Sequence, residues 1–513
     1  MNLSAFGLTS ATLPSSVPAR RAYATAAQLL AACRGVAKEG GQLVALWLTD
    51  ERDDARGFCL RVALRDSDGI ALLEHTVPAG GQYPDLAPIF PAAGRMQRAA
   101  FDLVGIPSDA DDQRPWLWMA SWPIDQFPLR RDFVAQEKWQ PGEEEYAFVK
   151  VEGDGVHEIP VGPVHAGIIE PGHFRFQVVG EKVLRLEERL GWVHKGIEKR
   201  FESMSLVEGA RLAGRISGDS TVAYALAYAQ ALESITGTEV PSRSQWLRAL
   251  LLERERIANH LGDLGYLGND AGFAFGLAQF SRLKEDLLRT NLEVFGHRLL
   301  MDVVVPGGVS RDITRAQCRH MDAECVRVER EVHAVREIYD EHAGVQDRFR
   351  NAGRVTPDLA RTLGLTGLAG RASGQAFDLR CDFPSAPFDV HAVRMAGTSS
   401  GDVAARVAVR FDEVKESFRL VRAILDGLPE GDVSVVVNDA PANRQGLGLV
   451  EGWRGPVLVA LTSAPGNRIQ RCHPHDPSWQ NWPVLEHAII DNIVPDFPLI
   501  NKSFNLTYSG HDL

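Results

Sequence analysis

The chain has 513 residues, of which 45% are hydrophobic and 24% charged; 55 Lys+Arg stand against 67 Asp+Glu, a net charge of −12. That length suggests two to four globular domains with a sizeable core, and the acidic balance argues against a nucleic-acid partner held by a basic surface. No stretch approaches the ~18 continuous apolar residues of a membrane helix, so docking on a membrane protein is open but spanning a bilayer is not expected.

Six cysteines (Cys33, Cys59, Cys318, Cys325, Cys381 and Cys472) form no CxxC pair, and at this density no disulfide framework is expected. The residues before Arg20-Arg21 lack a secretory apolar core. They are Ser/Ala-rich and acid-poor, which leaves a transit peptide as the weaker reading beside a reducing cytoplasm.

Residues 1–24 read as an N-terminal extension and 25–135 as a small α/β domain. Ala24 to Ala37 has helical composition. Gln42–Leu48, Phe58–Leu64 and Ile70–Val77 are apolar runs of strand length, the first two separated by the charged turn Asp50–Arg56. Arg95 to Ile106 reads as a helix ending at Gly105. Residues 136–160 form the expected linker, opening with the polar stretch Gln136 to Tyr146 and its acidic run Glu143-Glu144-Glu145. The second part, 161–513, opens with a short Gly/Pro/His segment, Val161 to Gly172, and from about residue 185 onward the helical period dominates. Leu206 to Ile235, Trp246 to Leu264, Phe280 to Leu300 and Thr314 to Glu341 read as long helices. In the second of these, Leu250, Ile257 and Leu261 share one side, and Glu253, Arg254 and Glu255 read as a solvated face. Val433–Val437 and Val457–Leu461 read as late strands. The fold class is α+β: a small α/β domain, then a large, mainly helical domain with a small β portion near its start.

Pro163-Val164-His165 and Glu170-Pro171-Gly172-His173 combine groups that fix the backbone with groups that titrate; such a loop can carry protons or a ligand, or be an ordinary polar loop. Cys318 and Cys325 lie on one helix face and read as core. Cys472-His473-Pro474-His475 is a rigid cluster with zinc-type donors, but no second ligand pair is near. There is no phosphate-loop pattern and no GxSxG elbow.

Several motifs resemble one family. Arg98 to Ile106 resembles an "R…DLFGI" helix end, and Phe127-Pro128-Leu129-Arg130-Arg131-Asp132-Phe133 resembles an "HPLRKDF" tail. Gly162-Pro163-Val164-His165 and Glu170 to Arg175 resemble the opening of a large subunit. Gly191-Trp192-Val193-His194-Lys195-Gly196-Ile197-Glu198-Lys199 is similar to "G-Y/L-x-HRG-x-EK". Glu255-Arg256 with His260, Pro306 to Val309 and Arg371 to Gly374 extend the match. The family is the large subunit of group 4 membrane-bound nickel–iron hydrogenases, of formate hydrogenlyase and hydrogenase-4 type, similar in turn to two fused peripheral-arm subunits of respiratory complex I.

The resemblance implies four thiolate ligands for nickel and iron. Where the family has "R-I/V-CGIC", this chain has Arg215-Ile216-Ser217-Gly218-Asp219-Ser220; where it has "DPCxxC", Thr507 and Gly510 stand at the cysteine positions. Metal ligands are therefore expected to be absent, with Ser217, Ser220, Thr507 and Gly510 as degenerate positions, and no cofactor is expected on this chain. Complex I, lacking the same cysteines, implies a quinone in the emptied cavity. Its Tyr and His for the quinone head are not matched, since Gly218 and Pro171 fall there. The resemblance then implies Glu170, His173, Arg215, Asp219, Tyr508 and His511 as catalytic candidates: Tyr508 or His511 as donor to quinone, Glu170 as proton carrier, and Arg215 with Asp219 buried, paired and facing the tail. His165 and His194 are cofactor-contact candidates, His194 beside a partner's iron–sulfur cluster, with Tyr224 a possible substitute donor. Implied partners are an iron–sulfur small subunit and membrane-embedded antiporter-like subunits, on the cytoplasmic side of the membrane. A structural subunit with a plugged site is the alternative.

Overall fold

The computed structural model describes residues 2–54, 56–119, 122–123, 125–134, 146–165 and 169–513. Most of the polar stretch read as the start of the linker lies outside them. The first body is a five-stranded sheet of β1 (Ser10–Thr12), β2 (Ala19–Tyr23), β3 (Gln42–Asp50), β4 (Phe58–Asp66) and β5 (Gly69–Val77), in the order β1-β2-β5-β4-β3. Helices α1 (Ala26–Lys38) and α2 (Ala93–Val104) pack on it. Thr25 and Gln28 cap α1 reciprocally, and Gly105 ends α2 in the left-handed conformation at φ 75°. Strands β3 to β5 are apolar along their length because both faces are covered. One faces α1 and α2. The other, with Ala45, Trp47, Ala63 and Leu72, packs on Leu447, Leu449 and Leu458 of the second body.

The first 24 residues are not a bare extension. They supply β1 and β2, and β2 runs parallel to β5 with Ala22 opposite Leu73. Leu13 and Val17 join the core between the two bodies. The signal is thin because β2 reads Ala-Arg-Arg-Ala-Tyr, with two small residues facing inward.

The second body opens with the antiparallel sheet β6 (Val156–Val161), β7 (His173–Val179) and β8 (Lys182–Arg189). Then come α3 (Ile197–Phe201), α4 (Leu206–Ala213), α5 (Thr221–Thr236), α6 (Ser242–Asp270) and α7 (Ala274–Phe295). The single helix expected over Leu206 to Ile235 is thus two, with a turn between them. The helix expected to reach Leu300 stops at Gly296, φ 81°. A short hairpin of β9 (Val304–Val305) and β10 (Gly308–Val309) precedes α8 (Arg315–Glu341). Four short helices follow, α9 (Ala343–Phe349), α10 (Pro357–Leu363), α11 (Gly367–Ala372) and α12 (Leu379–Asp382), then α13 (Val403–Gly427). Val433–Val437 is not a strand; it only bridges the hairpin, with Val309 N donating to Val433 O at 2.9 Å. The second sheet of this body is β11 (Gln445–Glu451), β12 (Pro456–Ala464) and β13 (Arg468–His475). It leads to α14 (Ser478–Ala488), α15 (Phe497–Phe504) and α16 (Ser509–Asp512).

Helix α6 is the axis of this body, and its charges are not solvated. Glu253, Arg254 and Arg256 are fully buried, and Glu255 nearly so. α6 packs against α7 on one side and α13 on the other, and several of its charged side chains meet partners from distant segments. Arg380 reaches Glu253 at 2.9 Å, and Arg371 reaches Glu413 at 2.7 Å and Glu451 at 2.8 Å. His260 bonds Glu413 at 2.8 Å, and Arg256 Nη2 donates to Glu451 O at 2.7 Å. A buried ion network adds little net stability as a whole, but removing one member strands the others. Arg371→Met should therefore lower stability by about 3–5 kcal/mol, read from the chemical-denaturation midpoint; a shift worth less than ~1 kcal/mol would mean the network is not a structural unit.

Candidate functional site

The break between α4 and α5 and the C-terminal tail meet at one point. Gly214 ends α4, and Ser217 turns the chain in extended conformation before Gly218–Ser220 start the next helix. The tail leaves α15 at Asn505, which sits left-handed at φ 46°. Thr507 is thereby placed against Ser217, their hydroxyls 3.1 Å apart. Gly510 N donates to Thr507 Oγ1 at 3.0 Å. A side chain at Gly510 would meet Thr507 Cγ2 at 2.6 Å, Tyr224 Oη at 2.8 Å and Asp476 Oδ2 at 2.9 Å, so only glycine fits.

Arg454, from the turn between β11 and β12, fills the centre. Its guanidinium binds Asp219 in a fork, Nη1 to Oδ1 at 2.9 Å and Nη2 to Oδ2 at 2.5 Å. The same Nη1 reaches Ser220 Oγ at 3.2 Å, and Nε donates to Asn505 O at 2.5 Å. Ser217 Oγ donates to Asp219 Oδ1 at 2.7 Å, and Tyr224 donates to Asp476 at 2.8 Å. The planar fork matches the carboxylate better than an ammonium would. Asp219 is partly accessible at 39%; burial opposes its charge, but Arg454 and the Ser217 hydroxyl hold its carboxyl below the usual range. Ser217, Ser220, Thr507 and Gly510 thus surround an ion pair and a hydroxyl network. Among the described residues no group of three or more His, Cys, Asp or Glu is arranged to hold a metal ion.

The tail is buried from Leu506 to Tyr508 and again from Gly510 to Leu513, but its partners differ from those expected. Arg215 does not face it: exposed at 37%, it pairs with Asp302 through both nitrogens, Nη2 to Oδ2 at 2.6 Å. Asp219 pairs with Arg454 instead. His511 stacks on Trp479 at 3.9 Å and donates from Nδ1 to Asp512 at 2.9 Å, away from Asp219. Burial lowers its pKa, which keeps the ring neutral. Glu170 caps the tail, accepting from Ser509 N at 3.0 Å and from its hydroxyl; burial raises its pKa. Both ring nitrogens of His173 are engaged, Nδ1 donating to Gly162 O at 3.1 Å and Nε2 accepting from Arg175 at 3.3 Å. His194 donates from Nδ1 to Asp512 O at 2.7 Å and stacks on Trp122.

Tyr508 and His165 do share a cavity. It measures about 160 Å³ and is lined also by Val161, Phe497, Asn501 and Lys502. The buried Tyr508 hydroxyl has no hydrogen bond of good geometry to the chain, and Asn501 is the polar side chain beside it. Cys472 and the histidines beside it point to opposite faces of β13. Cys472 enters the core, while His473 pairs with Glu198 at 2.6 Å and stacks on Trp47, so these residues do not converge on a metal. The sequence reading missed Arg454, Asp476 and Asn505. The available signal was that two charges, Glu451 and Arg454, flank Gly452-Trp453 between apolar runs.

Residues 270–448 match the family model of the respiratory-chain NADH dehydrogenase 49 Kd subunit, and residues 22–138 that of the 30 Kd subunit. Formate hydrogenlyase subunit 5 of Escherichia coli (strain K12) is 30% identical over 486 residues, covering 93% of this chain and 85% of that protein. The chain belongs to this family of complex I and group 4 hydrogenase large subunits. Hydrogenase-4 component G of the same organism is 31% identical over 437 residues, 84% of this chain and 76% of that protein. An archaeal membrane-bound sulfane sulfur reductase structure shares the fold, with a TM-score of 0.66 over 70% of this chain and 99% of that one, at 24% identity. By name the two Escherichia coli relatives are a subunit and a component of larger enzymes.

In this family member Glu255 lies beside the tail site. Its carboxyl accepts from Val222 N at 2.7 Å and Ala223 N at 3.2 Å at the start of α5. Burial, with the Asp219 charge adding, pushes its pKa from 4.5 up to about 8. The folded state therefore holds this proton where the unfolded chain has lost it. The stabilisation is whole below pH 4.5 and is lost as pH rises toward 8. Stability should fall across that window by at most about 1.4 kcal/mol per pH unit from this group, and Glu255→Gln should flatten the decline between pH 5 and 8 in denaturation curves. An unchanged slope would mean that Glu255 is ionised when folded.

Proposed function

We propose that this chain is the peripheral large subunit of a membrane-bound assembly of the complex I and group 4 hydrogenase type, and that it performs no nickel–iron chemistry. In this reading an iron–sulfur small subunit delivers electrons, a quinone receives them, and membrane-embedded antiporter-like partners couple the step to ion movement on the cytoplasmic side. No helix among the described residues is long and apolar enough to cross a membrane, so attachment falls to those partners.

The donor set does not suit nickel and iron. Two serine hydroxyls, one threonine hydroxyl and a glycine stand where the family motif has thiolates, and Arg454 brings a fixed positive charge into their midst. The observation that carries the quinone reading is the cavity at Tyr508. An apolar cavity of ~150 Å³ accepts a benzene ring, so about 160 Å³ suits one ring-sized head. The buried Tyr508 hydroxyl, lacking a well-formed bond, would donate to a quinone carbonyl. Glu170 already caps the tail helix, so its part is to hold the tail, and a proton-carrier role would require that cap to open.

A structural role is favoured by a different observation: the tail packs Thr507 against Ser217 and Gly510 against Thr507. Tyr508→Phe separates the two. In the purified complex it should slow quinone reduction about tenfold, one hydrogen bond's worth, and leave assembly intact. Unchanged turnover, with deletion of residues 505–513 blocking only assembly, would make the tail a plug. Elemental analysis of the same complex should find no stoichiometric nickel; one nickel per chain would overturn the reading of the four positions.

A further inference from the structure

We propose that a second cavity, where the N-terminal segment meets α5, α6 and β11, binds a neutral, largely apolar molecule of about two rings that carries a hydroxyl group. The cavity measures about 330 Å³ and shares no lining residue with the one at Tyr508. One wall is the strap around Ser16 and Val17. It is tied to β11 by Ser16 N donating to Leu447 O at 3.2 Å and Leu449 N donating to Ser16 Oγ at 2.9 Å. Leu226, Leu252 and Phe388 give apolar walls.

Four charged side chains line the cavity, and each is answered inside the protein. Arg248 forks onto Glu233 at 2.6 and 3.0 Å. Arg380 is held by Asp378 and Glu253. Glu451 accepts from Arg371 at 2.8 Å and from Leu379 N at 3.2 Å. An ionic ligand would meet no uncompensated opposite charge and would lose its hydration, so the occupant is neutral. Gln230, on α5, is the exception among the lining polar groups: its Oε1 is buried without a partner. An amide can present oxygen or nitrogen, and a hydroxyl answers either. With ~150 Å³ holding one benzene ring, about 330 Å³ corresponds to two.

The test uses the full chain and three probes of one size: 2-naphthol, naphthalene and 2-naphthoate. 2-Naphthol should bind saturably, at least about tenfold more tightly than the other two. Gln230→Leu should erase the preference for 2-naphthol over naphthalene without abolishing naphthalene binding. Val240→Trp, which reaches the cavity from the α5–α6 connection, should block all three probes while the circular dichroism spectrum stays unchanged. Absence of saturable binding would overturn the proposal, as would equal affinity for naphthol and naphthalene in the unmodified chain. So would binding that survives both variants but is lost in Tyr508→Phe, which would locate the probe in the other cavity.

Discussion

The bidentate contact between Arg454 and Asp219 decides how the C-terminal tail is held. A guanidinium at the meeting point of three segments satisfies a carboxylate, a serine hydroxyl and a tail carbonyl at once. Without it Asp219 would keep only the Ser217 hydroxyl as a donor, and a buried charge is costly when unpaired. With the ion pair in place, Ser217 and Thr507 face each other as ordinary hydroxyls, and Gly510 closes the turn because any side chain would strike Tyr224 and Asp476.

That contact depends on a rigid bed beneath it. The turn bearing Trp453 and Arg454 follows β11, whose end is clamped by Arg256 donating to Glu451 O and Gly452 O, and Arg371 fixes the Glu451 side chain. On the other side, Asp263 of α6 takes Arg410 at 2.8 Å and Asn505 of the tail at 2.6 Å. The polar side chains of α6 thus serve positioning: they tie α12, α13, the end of β11 and Asn505 of the tail to one helix. A purely apolar packing around α6 could be as stable, but it would not specify which carbonyl meets which donor.

The strands β3, β4, β5 and β12 and the helices α1, α2, α6 and α8 were legible because long apolar runs or helical spacing leave a periodic trace. β2 was not, because two arginines between two alanines carry almost no hydrophobic signal. The charges of α6 were misread because local sequence cannot tell a solvated face from one met by an arginine 127 residues away. The motif positions Ser217, Ser220, Thr507 and Gly510 were identified, and the chain does bring them together. Arg215 was assigned by adjacency to them; yet the turn at Ser217 sends its side chain outward to Asp302. Tyr508 and His511, three apart on the tail, end in different environments because a single turn of helix separates a cavity from a tryptophan stack.

Hydrogen–deuterium exchange of the tail tests the central claim most directly. If the Arg454–Asp219 pair seats the tail, the amides of Thr507 and Gly510 are strongly protected in the unmodified chain. In Arg454→Met they should exchange at least about tenfold faster while the α6 core stays protected. Tail protection unchanged in that variant would contradict the account, since the tail would then be held by its apolar contacts alone.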